Sequence, residues 1–250
     1  MDFLMFKLYE MFWFGSTNIV LTSIVNEVRQ VAPVIRSWLQ PIMNFRDSIE
    51  IGYELLSKVE YVDDVAKFFS GVSDADIAEL VKEQIYQMNR VCESGRIPMR
   101  KRLFVNIRTS TIADSNFVQW LCSQSRLPLA LEIDYLDLLN QPDLRFNTDN
   151  LNFLRKHGHQ IWLDDYTCDF NNHSCFDVLS NPWDGIKIDK TVLWHSCYDY
   201  DELREIVERC KELCEVVLIE GVESEQHVSA CRNAKVDLGQ GFYWQDRLVF

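Results

Sequence analysis

Gln160-Ile161-Trp162-Leu163-Asp164-Asp165-Tyr166 is an apolar run of strand length that ends in two adjacent acids. Bulky apolar residues over so short a span read as a strand rather than a helix. The acids then stand where that strand leaves the core. Two neighbouring carboxylates repel each other, and holding them together calls for a cation between them. Standing alone, such a pair also reads as the solvated start of a loop. The reading as a site comes from repetition, because the same layout recurs along the chain.

Leu103–Ile107 carries Asn106 near its exit, Leu129–Ile133 carries Glu132, and Gly185–Asp189 carries Lys187. Val216–Glu220 ends in Glu220, and Val236–Gly241 holds Gln240. Upstream, Ile49–Leu56 is strand-like with Glu54 near its end. From Asn106 onward the marked residues stand 20 to 33 residues apart, room for one strand, one helix and two loops. Helical spacing fills the gaps, as in Phe117, Trp120 and Leu121, and in Leu203, Ile206, Val207, Cys210 and Leu213. Apolar runs without alternation are the mark of parallel strands buried on both faces. The pattern predicts an α/β fold, a closed (β/α)8 TIM-like barrel, whose strand ends share one mouth.

Outside the repeat, residues 35–42 read as a strand that Pro41 stops, and 61–93 as helices, the second capped by Ser73 with Asp76. His157-Gly158-His159 reads as the turn into the Ile161 strand, with Gly158 closing the helix before it. Residues 1–30 match no repeated unit and are expected to pack on the barrel as an N-terminal extension, leaving 31–250 as the barrel domain.

Lys and Arg number 25 against 38 Asp and Glu, a net charge of −13, which argues against direct binding of nucleic acid. The eight cysteines include no CxxC pair and no zinc spacing, so they read as free thiols in a reducing, cytoplasmic compartment. Cys210 and Cys214, four apart, are expected on one helix face. The apolar stretch 11–25 is broken by Gly15, Ser16, Thr17 and Asn18, so no membrane span is expected, and Asp2 and Glu10 do not suit a signal peptide. Trp183, Trp194 and Trp244 make the last third rich in aromatics, read first as core and second as a partner surface.

Brought to one mouth, Glu54, Glu132, Asp164, Asp165 and Glu220 offer hard oxygen ligands, with Asn106 as a neutral one. Such ligands suit Mg²⁺ or Mn²⁺, and five acids exceed the charge of one dication, so a pair of cations is expected. A lysine beside two cations has its pKa lowered, which would fit Lys187 to act as a base or to orient water. Gln240 would hydrogen-bond substrate or water.

In family order, these segments resemble the EAL domain, the bacterial phosphodiesterase domain specific for cyclic di-GMP. The likeness runs from about Gln40 to the C-terminus through Gln40-Pro41-Ile42, Gly52-Tyr53-Glu54-Leu55-Leu56, Val105-Asn106, Leu131-Glu132-Ile133, Asp164-Asp165-Tyr166, Asp184-Gly185-Ile186-Lys187-Ile188-Asp189, Glu220-Gly221-Val222-Glu223 and Gln240-Gly241-Phe242. The resemblance implies an antiparallel first strand and Glu54, Asn106, Glu132, Asp164, Asp165 and Glu220 as metal ligands. It implies Lys187, Glu54 and Glu223 as catalytic residues, Gln240 and Lys58 at the substrate, and cleavage of cyclic di-GMP to the linear dinucleotide.

The chain also departs from that pattern. Thr167-Cys168-Asp169-Phe170-Asn171-Asn172 replaces a glycine-rich loop that organises the second metal and the dimer contact. Asp134-Tyr135 replaces Thr-Glu, and Lys58 replaces an arginine and its bidentate grip on phosphate. The resemblance therefore implies a catalytically impaired regulator that binds a protein partner. Similar stand-alone proteins of enteric bacteria bind the flagellar master transcriptional activator and repress motility. The alternative is an active Mg²⁺- or Mn²⁺-dependent phosphodiesterase, and a homodimer stays open.

Overall fold

The structure, a computed structural model, describes residues 34–140, 146–168 and 182–247. The expected N-terminal extension and most of the loop 167–175 lie outside the described residues.

Eight strands close a barrel in chain order: β1 (Ile35–Asn44), β2 (Glu50–Val59), β3 (Arg102–Asn106), β4 (Leu129–Asp134), β5 (Gln160–Tyr166), β6 (Trp183–Ile188), β7 (Cys214–Ile219) and β8 (Leu238–Gln240). β1 is antiparallel to both β2 and β8, and every other neighbouring pair is parallel. This is the expected barrel with its reversed first strand. The helices are α1 (Val65–Ser70), α2 (Asp74–Glu93), α3 (Thr109–Ala113), α4 (Ser115–Gln124), α5 (Tyr135–Leu139), α6 (Thr148–Lys156), α7 (Lys190–Ser196), α8 (Tyr200–Lys211) and α9 (Glu225–Asn233), with a closing 3-10 turn, Phe242–Arg247. None among the described residues is long and apolar enough to cross a membrane.

The longest helix, α2, forms for legible reasons. Ser73 accepts from the Asp76 N–H at its start, and Ile77, Leu80, Val81, Ile85, Met88 and Cys92 line its buried face. The main core lies between sheet and helices. A smaller one plugs the barrel itself: Ile42, Phe104, Ala130, Trp162, Leu218 and Leu238. Phe104 and Trp162 meet edge to face at 4.9 Å. A side chain at Gly185 would put its Cβ 2.5 Å from the Trp162 ring, so glycine is what lets the indole cross the barrel. This plug is the floor of the mouth.

Pro41 does not stop its strand; β1 runs through it to Asn44. A proline is tolerated on an edge, and β1 meets β8 only from Ile42 onward, so up to Pro41 its only partner among the described strands is β2. Cys214 does not share a helix with Cys210, because the chain has already turned into β7. Its thiol instead lies 3.4 Å from the Cys210 carbonyl oxygen. His157 rather than Gly158 caps α6, with Gly158 following in the left-handed region at φ 84°. All the described cysteines are free.

β1 and β2 outrun the barrel. β3 pairs with β2 only as far as Leu55, whereas β1 and β2 stay in register out to Ile35 and Val59. The ribbon thus projects beyond the mouth. Its outer face rests on α2: Gln84 Nε2 donates to Ser37 Oγ at 3.0 Å and Ser57 Oγ at 2.9 Å. Ile35 and Val59 pack there with Val72, Ile77 and Leu80.

Candidate metal centre

Strand parity carries charge to the rim. Glu132 stands two residues after Ala130 of the plug, Lys187 two after Gly185, and Asp164 two after Trp162, so each points into the barrel one rung above the floor. Glu220 follows the end of β7, its N–H held by the Ile188 carbonyl at 3.1 Å.

Lys187 is 0% exposed and sits among four carboxylates. Its Nζ lies 2.8 Å from Asp164 Oδ1, 2.8 Å from Glu220 Oε1, 2.9 Å from Glu132 Oε1 and 3.3 Å from Glu54 Oε2. Burial alone would push this ammonium's pKa down; the four carboxylates prevail and hold it well above the usual lysine range. The lowered pKa expected from sequence presupposed cations in that place.

One ammonium does not neutralise five acids. Burial raises Glu132 well above an ordinary glutamate and raises Asp164, with Lys187 opposing and Glu54 adding to both shifts. Burial and the Asp164 charge push Asp165 up to about 7, and burial with the Asp164 and Glu54 charges brings Glu220 to about 8. Glu132 Oε2 is buried and finds no hydrogen-bond partner among the described residues. A buried acceptor left so is costly unless something else supplies positive charge.

Two overlapping carboxylate groups meet the spacing of cation ligands: Glu54, Glu132 and Asp164, then Asp164, Asp165 and Glu220, each within 4.8 Å. Asp164 is common to both. Adjacent residues of a regular strand face opposite ways, yet both aspartates serve one group. The β5–β6 register shifts between Leu163 and Tyr166, and Asp165 is held at φ 52°, a left-handed backbone rare outside glycine. That bulge brings the second carboxylate round to the first. Oxygen-only donors, surplus negative charge and an orphaned carboxylate oxygen together fit Mg²⁺ or Mn²⁺.

Asn106 Nδ2 donates to Glu54 Oε1 at 3.0 Å, and Gln240 Nε2 donates to the other Glu54 oxygen and, at 2.6 Å, to Gln40 Oε1. Gln40, opposite Glu54 in the β1–β2 register, was assigned no role from sequence, where it stands only in the Gln40-Pro41-Ile42 stretch of the resemblance. Lys58 keeps the parity of Glu54 on the projecting ribbon and is exposed. Glu223 is exposed beyond β7, its backbone N–H 3.2 Å from His227 Nδ1, and it joins neither carboxylate group. Two acids next to the ring serve helices instead: Asp134 caps α5 through the Asp137 N–H at 3.0 Å, and Asp189 caps α7 through the Thr191 N–H at 2.8 Å.

The family described as EAL domain matches residues 31–246. Among solved structures, the EAL enzyme Bd1971 in a cAMP and cyclic-di-GMP bound form is 19% identical, with a TM-score of 0.62 over 84% of this chain and 61% of that one. BlrP1 of Klebsiella pneumoniae, in a manganese and cyclic-di-GMP complex, is 18% identical, with a TM-score of 0.66 over 84% of this chain and 55% of that one. The FimX EAL domain from Pseudomonas aeruginosa, bound to cyclic-di-GMP, is 21% identical, with a TM-score of 0.64 over 84% and 89%. This chain therefore spans about three fifths or less of the length of the first two. No curated protein matches the sequence.

Proposed function

From the premise that this chain belongs to the EAL domain family, we propose that it is a protein of cyclic di-GMP signalling whose barrel mouth binds that dinucleotide with Mg²⁺ or Mn²⁺ and hydrolyses it. The observation that carries this reading is the pair of carboxylate groups sharing Asp164. The manganese and cyclic-di-GMP complex of BlrP1 is consistent with it.

Glu54, Glu132, Asp164, Asp165 and Glu220, with Asn106, would hold the ions. When bound, they supply Lewis acidity to a phosphodiester and make a water more acidic. The protein's own part is orientation. Gln40 and Asn106 fix Glu54 directly or through Gln240, and the β5 bulge fixes the aspartate pair. Lys187, set among these carboxylates, would orient the attacking water, and Lys58 would meet a ligand phosphate at the rim. Hydrolysis adds the water oxygen to phosphorus, breaks one P–O bond and leaves the proton on the departing ribose oxygen, giving the linear dinucleotide. Glu223 acts from outside this ring.

Incubation with cyclic di-GMP and Mg²⁺ or Mn²⁺ should yield linear dinucleotide, and Glu54→Ala should lower the rate by ~100-fold or more. Failure to bind cyclic di-GMP with either ion would overturn the reading. A second reading, an impaired enzyme acting on a protein partner such as the flagellar master transcriptional activator, is favoured by the glycine-free Thr167–Asn172 stretch and by Lys58 in place of arginine. It predicts no turnover of cyclic di-GMP, and capture of that activator equally by wild type and Glu54→Ala.

A further inference from the structure

The β1–β2 ribbon has one face on α2 and the other turned over the mouth. Ser37, Ser57, Ile35 and Val59 account for the first face. Residues of opposite parity make the second. Nearest the floor, Gln40 opposes Glu54, and both side chains reach Gln240 inside the barrel. The next rung pairs Trp38 with Leu56, and the one after pairs Arg36 with Lys58.

Trp38 and Leu56 are half-buried, and neither belongs to any of the three apolar clusters formed by the described residues. Their place is specific. At a rise of about 3.3 Å per residue, that rung lies roughly 7 Å along the ribbon from Glu54. Arg36 is engaged by Glu60, while Lys58 has no ion pair among the described residues. An indole, an isobutyl group and an unpaired ammonium therefore stand in line above a cation-type centre. A flat apolar ring with a phosphate attached complements that sequence of surfaces, because aromatic side chains stack on bases and lysine meets phosphate as a point charge.

We propose that Trp38, flanked by Leu56, is the base platform of this site: one guanine of the ligand stacks on the indole while Lys58 meets its phosphate. This rests on the cyclic di-GMP reading above and adds the residue that would read the base. Trp38 is a binding residue and takes no part in the bond-breaking step.

The test is calorimetric titration of wild type, Trp38→Ala, Trp38→Phe and Lys58→Ala with cyclic di-GMP in Mg²⁺, and with GMP and ribose 5-phosphate as probes with and without a base. Trp38→Ala should weaken cyclic di-GMP and GMP by ~10- to 100-fold, the loss of one stacked base, and leave ribose 5-phosphate unchanged. Trp38→Phe should recover most of the affinity, and Lys58→Ala should weaken both probes. Mn²⁺ affinity in each variant monitors the fold of the mouth. Wild type that binds cyclic di-GMP, with Trp38→Ala within two-fold of it, overturns the platform and leaves the functional reading intact. Wild type that binds no cyclic di-GMP overturns both.

Discussion

The barrel has a polar cluster near each end, and the two are built on opposite principles. At the end where the parallel strands begin, the named polar groups find hydrogen-bond partners. Arg102 donates to the Leu129 and Gly158 carbonyls at 2.9 and 3.2 Å, and Asp184 accepts from Arg155 Nε at 3.0 and 3.1 Å and from the Ile161 N–H at 2.8 Å. Buried His159 accepts the Leu129 N–H at 3.1 Å. At the mouth, five acids face one ammonium, and a buried carboxylate oxygen has no partner among the described residues. A satisfied cluster fixes strands; a cluster short of positive charge is incomplete without a cation. The asymmetry, more than the acids themselves, marks the working end.

The largest expected effect tests whether Lys187 is the stand-in for that cation. Lys187→Met leaves the carboxylates without their only counter-ion among the described residues. In EDTA it should lower unfolding free energy by about 3–5 kcal/mol, the cost of breaking a buried ion pair. Saturating Mn²⁺ should restore most of the difference, and the variant should bind Mn²⁺ more tightly than wild type. Denaturant melts with and without Mn²⁺ measure both. Equal melts in EDTA would mean that the ammonium does not hold the mouth together.

A smaller effect, with the opposite sign, follows at Glu132. Its charged form is disfavoured by burial, and Gln has the shape of the protonated form. Glu132→Gln should stabilise the metal-free protein by about 1 kcal/mol, since burial disfavours the charged carboxylate and Lys187 keeps three others beside it. It should also weaken Mn²⁺ by ~10-fold or more. A variant less stable than wild type in EDTA would show that Glu132 is satisfied by Lys187 after all, and the contrast between the two ends would narrow.

Much of the barrel was legible because its signal is periodic. Buried parallel strands leave apolar runs at βα intervals, and the inward residue one rung above each plug residue is polar. What stayed hidden is what periodicity does not encode. The bulge that turns Asp165 back toward Asp164 is a backbone event with no residue signature, since neither aspartate is a glycine. Pro41 misled because its tolerance depends on which neighbour β1 lacks, a fact of topology. Asp134 and Asp189 stand two residues past Glu132 and Lys187, yet the turns into α5 and α7 spend them as helix caps. Gln40 was invisible because its partner Gln240 is 200 residues away. Cys214 misled because four-residue spacing is shared by a helix face and a short helix-to-strand turn.

The remaining effect belongs to the satisfied end and depends on pH. Burial, then the charges of Arg102 and His157, lower His159 from 6.5 to about 4. The sign follows from linkage. The unfolded chain takes up this proton before the folded one does, so the contribution is fully present above pH 6.5 and is lost as pH falls from 6.5 to about 4. The loss amounts to no more than about 3 kcal/mol. His159→Asn keeps an acceptor for the Leu129 N–H and removes the titration. Subtracting its stability from that of wild type across this range, in EDTA, should give a slope inside the window and none above it. The mouth carboxylates are the same in both proteins and cancel in the subtraction, so a flat difference throughout would place the acid sensitivity of the fold at the mouth instead.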